Sequence, residues 1–192
     1  MTNKKSGVLS RFSQFFFRKS NLKIGLVATA FFSGYLALLS FVGKSFEVEG
    51  GNVKSLGTSL GFGAKDVTDF FTERSDQMIT SYINFNQFWD FIFAIIYGFM
   101  YVIWLSVIYK PYSQKIWLLN LVPLIQVIFD WVENFTLASI AKTYLVDGSI
   151  SSSTVTLAST SSSIKWVFSV LVYLLLFYGI GLRFFRAIKA KQ

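Results

Sequence analysis

The stretch Pro123-Leu-Ile-Gln-Val-Ile-Phe-Asp-Trp-Val-Glu-Asn134 lies inside a longer apolar run, Ile116 to Ala141. At about 100° per residue, Gln126, Asp130, Glu133 and Asn134 fall within roughly a 100° arc of a helix. Two carboxylates and two carboxamides therefore share one face of a helix long enough to cross a bilayer. An ionisable group at that depth costs about 2.5–3.5 kcal/mol on insertion, so it faces a partner or a cavity. The stretch reads as one span of a polytopic membrane protein with a buried polar site.

Three more apolar runs flank it, Ile24–Val42, Phe88–Tyr109 and Ile164–Ile180. A hydrocarbon core of roughly 30 Å needs about 20 helical residues, and each run reaches or approaches that length. Composition agrees: 53% of the 192 residues are hydrophobic, 15% are charged, and phenylalanine alone accounts for 22. That balance fits a membrane protein better than a soluble domain. The chain has no cysteine and no histidine, which removes disulfides, thiol nucleophiles, histidine bases and the usual zinc and haem ligands. No cofactor and no metal site is expected.

The net charge of +8 is distributed unevenly. With the N-terminus in the cytoplasm, the inner segments hold Lys4, Lys5, Arg11, Arg18, Lys19, Lys23, Lys110, Lys115, Arg183, Arg186, Lys189 and Lys191, and no acid. The outer segments hold Lys44, Lys54, Lys65, Arg74, Lys142 and Lys165 among seven acids. This asymmetry predicts an N-in, C-in topology. The expected fold is all-α, a four-helix transmembrane bundle with short interfacial helices. It forms a single integral membrane domain over 1–192, with spans at 24–42, 88–109, 116–141 and 164–182. Anionic headgroups on the cytoplasmic side account for the basic residues, and no nucleic-acid partner is expected.

Residues 1–23 form a basic cytoplasmic segment in which Val8, Phe12, Phe15 and Phe16 share a helical face, as an interfacial helix would require. In the first span Gly25, Thr29, Ser33 and Ala37 recur every four residues. Such a stripe of small side chains lets another helix of the bundle, a second copy or a partner membrane protein approach closely. The external segment 43–87 begins with six glycines within residues 43–63 and continues as an amphipathic helix over 64–83, lying on the outer surface or binding a partner. The turn at 110–115 is short enough to make the second and third spans neighbours. Pro123 crowds the carbonyl of Leu119 and predicts a kink or a water-lined opening. Between Ser149 and Ser163, 11 of 15 residues are Ser or Thr, so 142–163 reads as a solvated external loop. Residues 183–192 form a basic cytoplasmic tail.

In the second span Asn86, Gln87, Asp90, Ala94, Tyr97, Gly98 and Tyr101 project to one side, and Lys165 opens the fourth with Ser169 and Tyr173 following. The orientation puts Asp90, Asp130, Glu133 and Lys165 in the outer half of the bilayer. The candidate ligand- or ion-binding set is therefore Asp90, Tyr97, Gln126, Asp130, Glu133, Asn134 and Lys165. A pocket of this kind suits a cation, a proton or a polar ligand, in transport or sensing. Alternatively the same residues hold helices together in a non-catalytic accessory or assembly subunit. A third reading is a lipid-modifying enzyme using Asp130 and Glu133 as acid and base. The glycosylation acceptor Asn134-Phe135-Thr136 lies within a span and is unusable, and the outer loops offer no other, which favours a bacterial inner membrane.

Overall fold

The computed structural model describes residues 7–48, 56–113, 116 and 118–189. Of the basic residues weighed for orientation, Lys4, Lys5, Lys54, Lys115 and Lys191 lie outside the described residues. Among those described, every regular element is helical: α1 (Val8–Lys19), α2 (Leu22–Gly43), α3 (Ala64–Thr72), α4 (Asp76–Asn84), α5 (Phe91–Tyr109), α6 (Pro123–Asp147) and α7 (Ser152–Lys189). A π-helical segment, Phe85–Asp90, joins α4 to α5 without a break. Four helical stretches are long and apolar enough to cross a membrane: Leu22–Phe46, Asp76–Tyr112, Leu119–Asp147 and Ser152–Lys189.

Two of these stretches are much longer than a bilayer requires. At about 1.5 Å per residue, 37 and 38 residues run roughly 55 Å, nearly twice the ~30 Å hydrocarbon core. The surplus builds a cap on one end of the bundle. There α3 and α4 bury Val67, Phe70, Phe71, Ile79 and Tyr82 against Leu137, Ala138 and Ala141 of α6 and Val155 and Ala158 of α7. The apolar face expected over 64–83 is thus covered by the protein itself, and a break at 73–75 divides it into two helices. Each phenylalanine buried this way contributes about 1.5–3 kcal/mol, which gives the face more stabilisation inside the cap than exposed above it.

The Ser/Thr-rich stretch also departs from expectation. Residues 142–163 are not a loop: α6 continues to Asp147, Gly148 ends it with φ 62°, and α7 starts at Ser152. Gly148 is the one described residue with positive φ, where a side chain would be strained. Serine and threonine are only middling helix formers, and here their hydroxyls are occupied. Thr156 donates to Ser152 O at 2.9 Å and Ser163 to Ser159 O at 3.0 Å. Packing along α6, the most extensive helix pairing in the molecule, supplies the rest.

Pro123 makes no kink. It occupies the first turn of α6, where its missing N–H is not needed, and a 3-10 turn at Leu119–Leu121 precedes it. That turn positions Asn120, fully buried, as a tie to the N-terminal helix. Asn120 Oδ1 accepts from Ser13 Oγ at 2.7 Å, and its Nδ2 donates to Ser13 O at 3.1 Å and Ser106 Oγ at 2.8 Å. Phe17 of α1 joins Leu105, Ile108 and Tyr109 of α5 in a buried cluster, while Val8, Phe12 and Phe15 remain exposed.

The α5 and α6 helices form the interior of the bundle, with α2 and α7 on its flanks. The small-residue stripe of α2 is divided between two environments. Gly25 lets the Trp104 indole of α5 lie against the backbone, and Thr29 Oγ1 accepts from Trp104 Nε1 at 2.8 Å. Ser33 and Ala37 are exposed.

Candidate functional site

The polar stripe of α6 faces inward. Gln126, Asp130, Glu133 and Asn134 are all buried, Glu133 completely. Lys165 reaches them from α7. Its ammonium has three N–H donors and meets three acceptors: Gly57 O at 3.0 Å, Asp130 Oδ1 at 3.2 Å and the Glu133 carboxylate. Tyr97 of α5 donates its hydroxyl to the second Asp130 oxygen, Oδ2, at 2.8 Å. Asp130 thereby binds α5, α6 and α7 together. An ion pair so deeply buried persists because these hydrogen bonds replace the water both groups lost.

Asp90 stands apart from this triad. It sits at the end of the π-helical segment, beside Asn134, and among the described residues it has no ion-pair partner. Asp90, Asp130, Tyr97, Gln126 and Lys165 line a common cavity of about 610 Å³; Glu133 and Asn134 lie behind its surface. Two carboxylates thus pair with the Lys165 ammonium, and Asp90 adds a third acid on the cavity wall beside them.

Helices α2, α5 and α7 supply the remaining walls. Phe32, Leu36 and Leu39 come from α2, Phe93 and Tyr101 from α5, and Trp166, Ser169 and Tyr173 from α7. The Tyr101 hydroxyl donates to that of Tyr173 at 2.9 Å, tying α5 to α7 along the cavity wall. At the opposite end lies Arg74, from the link between α3 and α4. Its Nε donates to Phe46 O at 2.9 Å, and its guanidinium stacks 3.5 Å from the centre of the Phe70 ring. Desolvation lowers the Arg74 pKa from its ordinary value, against the opposing charge of Glu73.

The Ser/Thr-rich start of α7 roofs the site. Ser162 Oγ donates to Ser59 O and Ser163 Oγ to Leu60 O, both at 2.7 Å, while Phe62 N donates to Ser159 Oγ at 2.9 Å. With the Lys165 bond to Gly57 O, these hold the segment 57–62 across the mouth of the charged cluster. Sequence reasoning did not connect this segment, Arg74 or the α2 wall to the site. The spacing of four from Ser159 to Ser163, continued by Ser162 to Trp166, is the helical signal that was available in the Ser/Thr run.

Lys165 stands between Asp130 and Glu133 and pairs with both. No group of three acidic side chains among the described residues is arranged to hold a metal ion. Gln87, on the polar side of the second span in sequence, is turned elsewhere and accepts from Lys142 at 3.2 Å. Compared with protein-family models, curated proteins and solved structures, the chain matches none.

Proposed function

We propose that this membrane protein binds a cation or a small polar ligand in the cavity beside Asp90, and that transport or sensing is coupled to that binding. The observation that carries the reading is the unpaired carboxylate. Asp90 lines an internal cavity next to a triad whose own lysine is already engaged. A purely structural cluster gains little from a third acid whose side-chain partner, Asn134, is neutral and which has neither a counter-ion in contact nor full access to water.

In this reading both termini are cytoplasmic and the cap of α3, α4 and the start of α7 faces outward, in a bacterial inner membrane. The helix α1 lies in the inner headgroup layer, its exposed Val8, Phe12 and Phe15 toward acyl chains and Arg11, Arg18 and Lys19 toward anionic lipid. Because the chain lacks cysteine, single substitutions test this directly. In right-side-out vesicles, Ser151→Cys should react with an impermeant maleimide and Lys189→Cys should not. The reverse pattern would invert the topology.

Ligand binding is tested by thermal unfolding of the purified protein with protons, alkali cations and small amines as probes. A ligand at 100 times its Kd stabilises by about 2.7 kcal/mol. The expected result is a stabilisation by at least one of these probes that Asp90→Asn removes. If none of them stabilises the wild type, the reading fails.

An accessory role is favoured by one separate observation, the exposed small residues Ser33, Gly34 and Ala37 on α2. Recovery of a partner in mild detergent that is lost in Ala37→Phe, with the chain still folded, would support that role.

A further inference from the structure

We infer that the cavity takes an amphipathic organic cation, an amine or quaternary ammonium on an aromatic or alkyl body, which enters sideways from the bilayer between α2 and α7. This rests on the reading of the cavity as a ligand site and names the class of ligand.

The first argument is the position of the mouth. Leu36 on α2 and Tyr173 on α7 both line the cavity, yet they are 43% and 45% exposed, so the opening reaches down between these helices as well as to the exposed Ser40, Glu47 and Thr58 near the cap. A residue that lines an interior space and also faces outward marks the opening. The two helices each pack on α5 without packing along one another. Their outer surfaces carry exposed Phe31, Leu38, Val170 and Leu174, as helices facing acyl chains do. A ligand arriving through that gap travels through lipid, so most of its surface is apolar.

The second argument is the chemistry inside. Asp90 offers a carboxylate with no ion-pair partner among the described residues. Gln126 is 7% exposed, and its Oε1, on the cavity wall, has no hydrogen-bond partner. Asp90 is met by the neutral Asn134 but by no counter-ion, and the buried Gln126 Oε1 has no donor at all, so the pair calls for a donor or a positive charge. Lys165 cannot supply it, since its three N–H groups are used, and Arg74, the other cation lining the cavity, is engaged by the Phe46 and Phe70 carbonyls and the Phe70 ring. Around these acceptors stand Phe32, Phe93, Tyr97 and Trp166, whose ring faces attract a cation within about 6 Å of their centres.

Size is the third argument. A volume of about 610 Å³ falls inside the roughly 300–1,000 Å³ of small-molecule sites, and it far exceeds what a proton or a bare metal ion would fill. The charged group would sit at Asp90 and Gln126, with the apolar body along Phe32, Leu36 and Leu39.

The test uses the full chain in lipid nanodiscs, with labelled tetraphenylphosphonium and dodecyltrimethylammonium as probes and empty nanodiscs as background. Saturable binding at one site per chain is expected, at least tenfold weaker in Asp90→Asn. It should also weaken in Ser40→Trp, which places a bulky ring on the α2 wall without touching the charged cluster. Binding unchanged by both variants, or no stronger than that of the neutral analogue dodecanol, would overturn the proposal. A single Ser169→Cys on the cavity wall separates the two levels of the argument. Protection from maleimide by the bulky cations supports the inference. Protection by sodium or methylammonium alone overturns the ligand class and leaves the ligand site standing, and protection by no probe overturns both.

Discussion

Lys165 of α7 donates to Asp130 Oδ1 of α6 at 3.2 Å, and both side chains are buried. Truncating the lysine, as in Lys165→Met, strands two carboxylates, Asp130 and Glu133, away from water. Breaking a buried pair from one side costs about 3–5 kcal/mol. Thermal unfolding in mild detergent should therefore show a large loss for Lys165→Met. The triple variant Lys165→Met, Asp130→Asn, Glu133→Gln carries no stranded charge and should recover most of the lost stability. Equal losses in both variants would mean that packing, not charge, holds this contact.

A second prediction concerns the N-terminal helix. Asn120 joins Ser13 of α1 to Ser106 of α5, entirely out of water. The near-isosteric Asn120→Leu keeps the volume and removes the bonds, leaving the Ser13 hydroxyl and carbonyl without this partner. The expected destabilisation is about 1–3 kcal/mol. It should be largest in α1, which loses both bonds to Asn120, whereas in α5 Ser106 loses one and keeps its own bond to Val102 O. Hydrogen exchange of the amides over residues 8–19 should quicken while that of α5 stays slow.

How much of this was legible in the sequence differs from residue to residue. The inward face of α6 followed from spacing alone, because a single apolar helix can bury Gln126, Asp130, Glu133 and Asn134 together only by turning them toward its neighbours. The adjacency of α5 and α6 followed from the short turn between them. Asp90 was harder to place. It ends a π-helical segment, and one extra residue in a turn rotates everything before it relative to everything after it. Gln87 and Asp90, side by side on a regular helix, consequently have different surroundings. Average serine behaviour makes 142–163 a loop, whereas here the hydroxyls of Thr156, Ser159, Ser162 and Ser163 bond to helix carbonyls or to the segment 57–62. The apolar run extends back to Ile116 and makes Pro123 look interior to a helix, because hydropathy alone does not mark where a helix begins.

The roof of the site yields a third prediction. Ser162 and Ser163 hold the carbonyls of Ser59 and Leu60 at 2.7 Å. Replacing both with alanine removes these two hydrogen bonds, each with a net value of about 0.5–1.5 kcal/mol, together with the Ser163 bond to Ser159 O within the helix. Helix α7 should persist, since alanine is the better helix former. The loss should therefore appear locally, as faster hydrogen exchange and earlier proteolysis within 57–62, with little change in global unfolding. Unchanged protection of that segment would show that Lys165 and Gly57 secure it unaided.

The last prediction uses two glycines of the same helix as test and control. Gly179 of α7 lies against α5 so closely that an added Cβ would meet the Tyr109 ring at 2.9 Å and collide with Ile108. Tyr109 is also held by its hydroxyl, which donates to Leu175 O at 2.8 Å, so its ring is not free to swing away. Gly179→Ala should therefore separate α7 from α5 and cost about 1–3 kcal/mol. Two residues on, Gly181 has no atom within 4 Å of the position a Cβ would take. There alanine adds only its preference for helix, so Gly181→Ala should be neutral or stabilising by up to about 1 kcal/mol. The comparison is read in one thermal-unfolding experiment on both variants. Opposite signs would establish that α7 is seated on α5 at Gly179, below the gap between α2 and α7 and on the side away from the cap. If Gly179→Ala were as well tolerated as Gly181→Ala, α7 would pack more loosely there, and the walls of the cavity above it would be correspondingly less fixed.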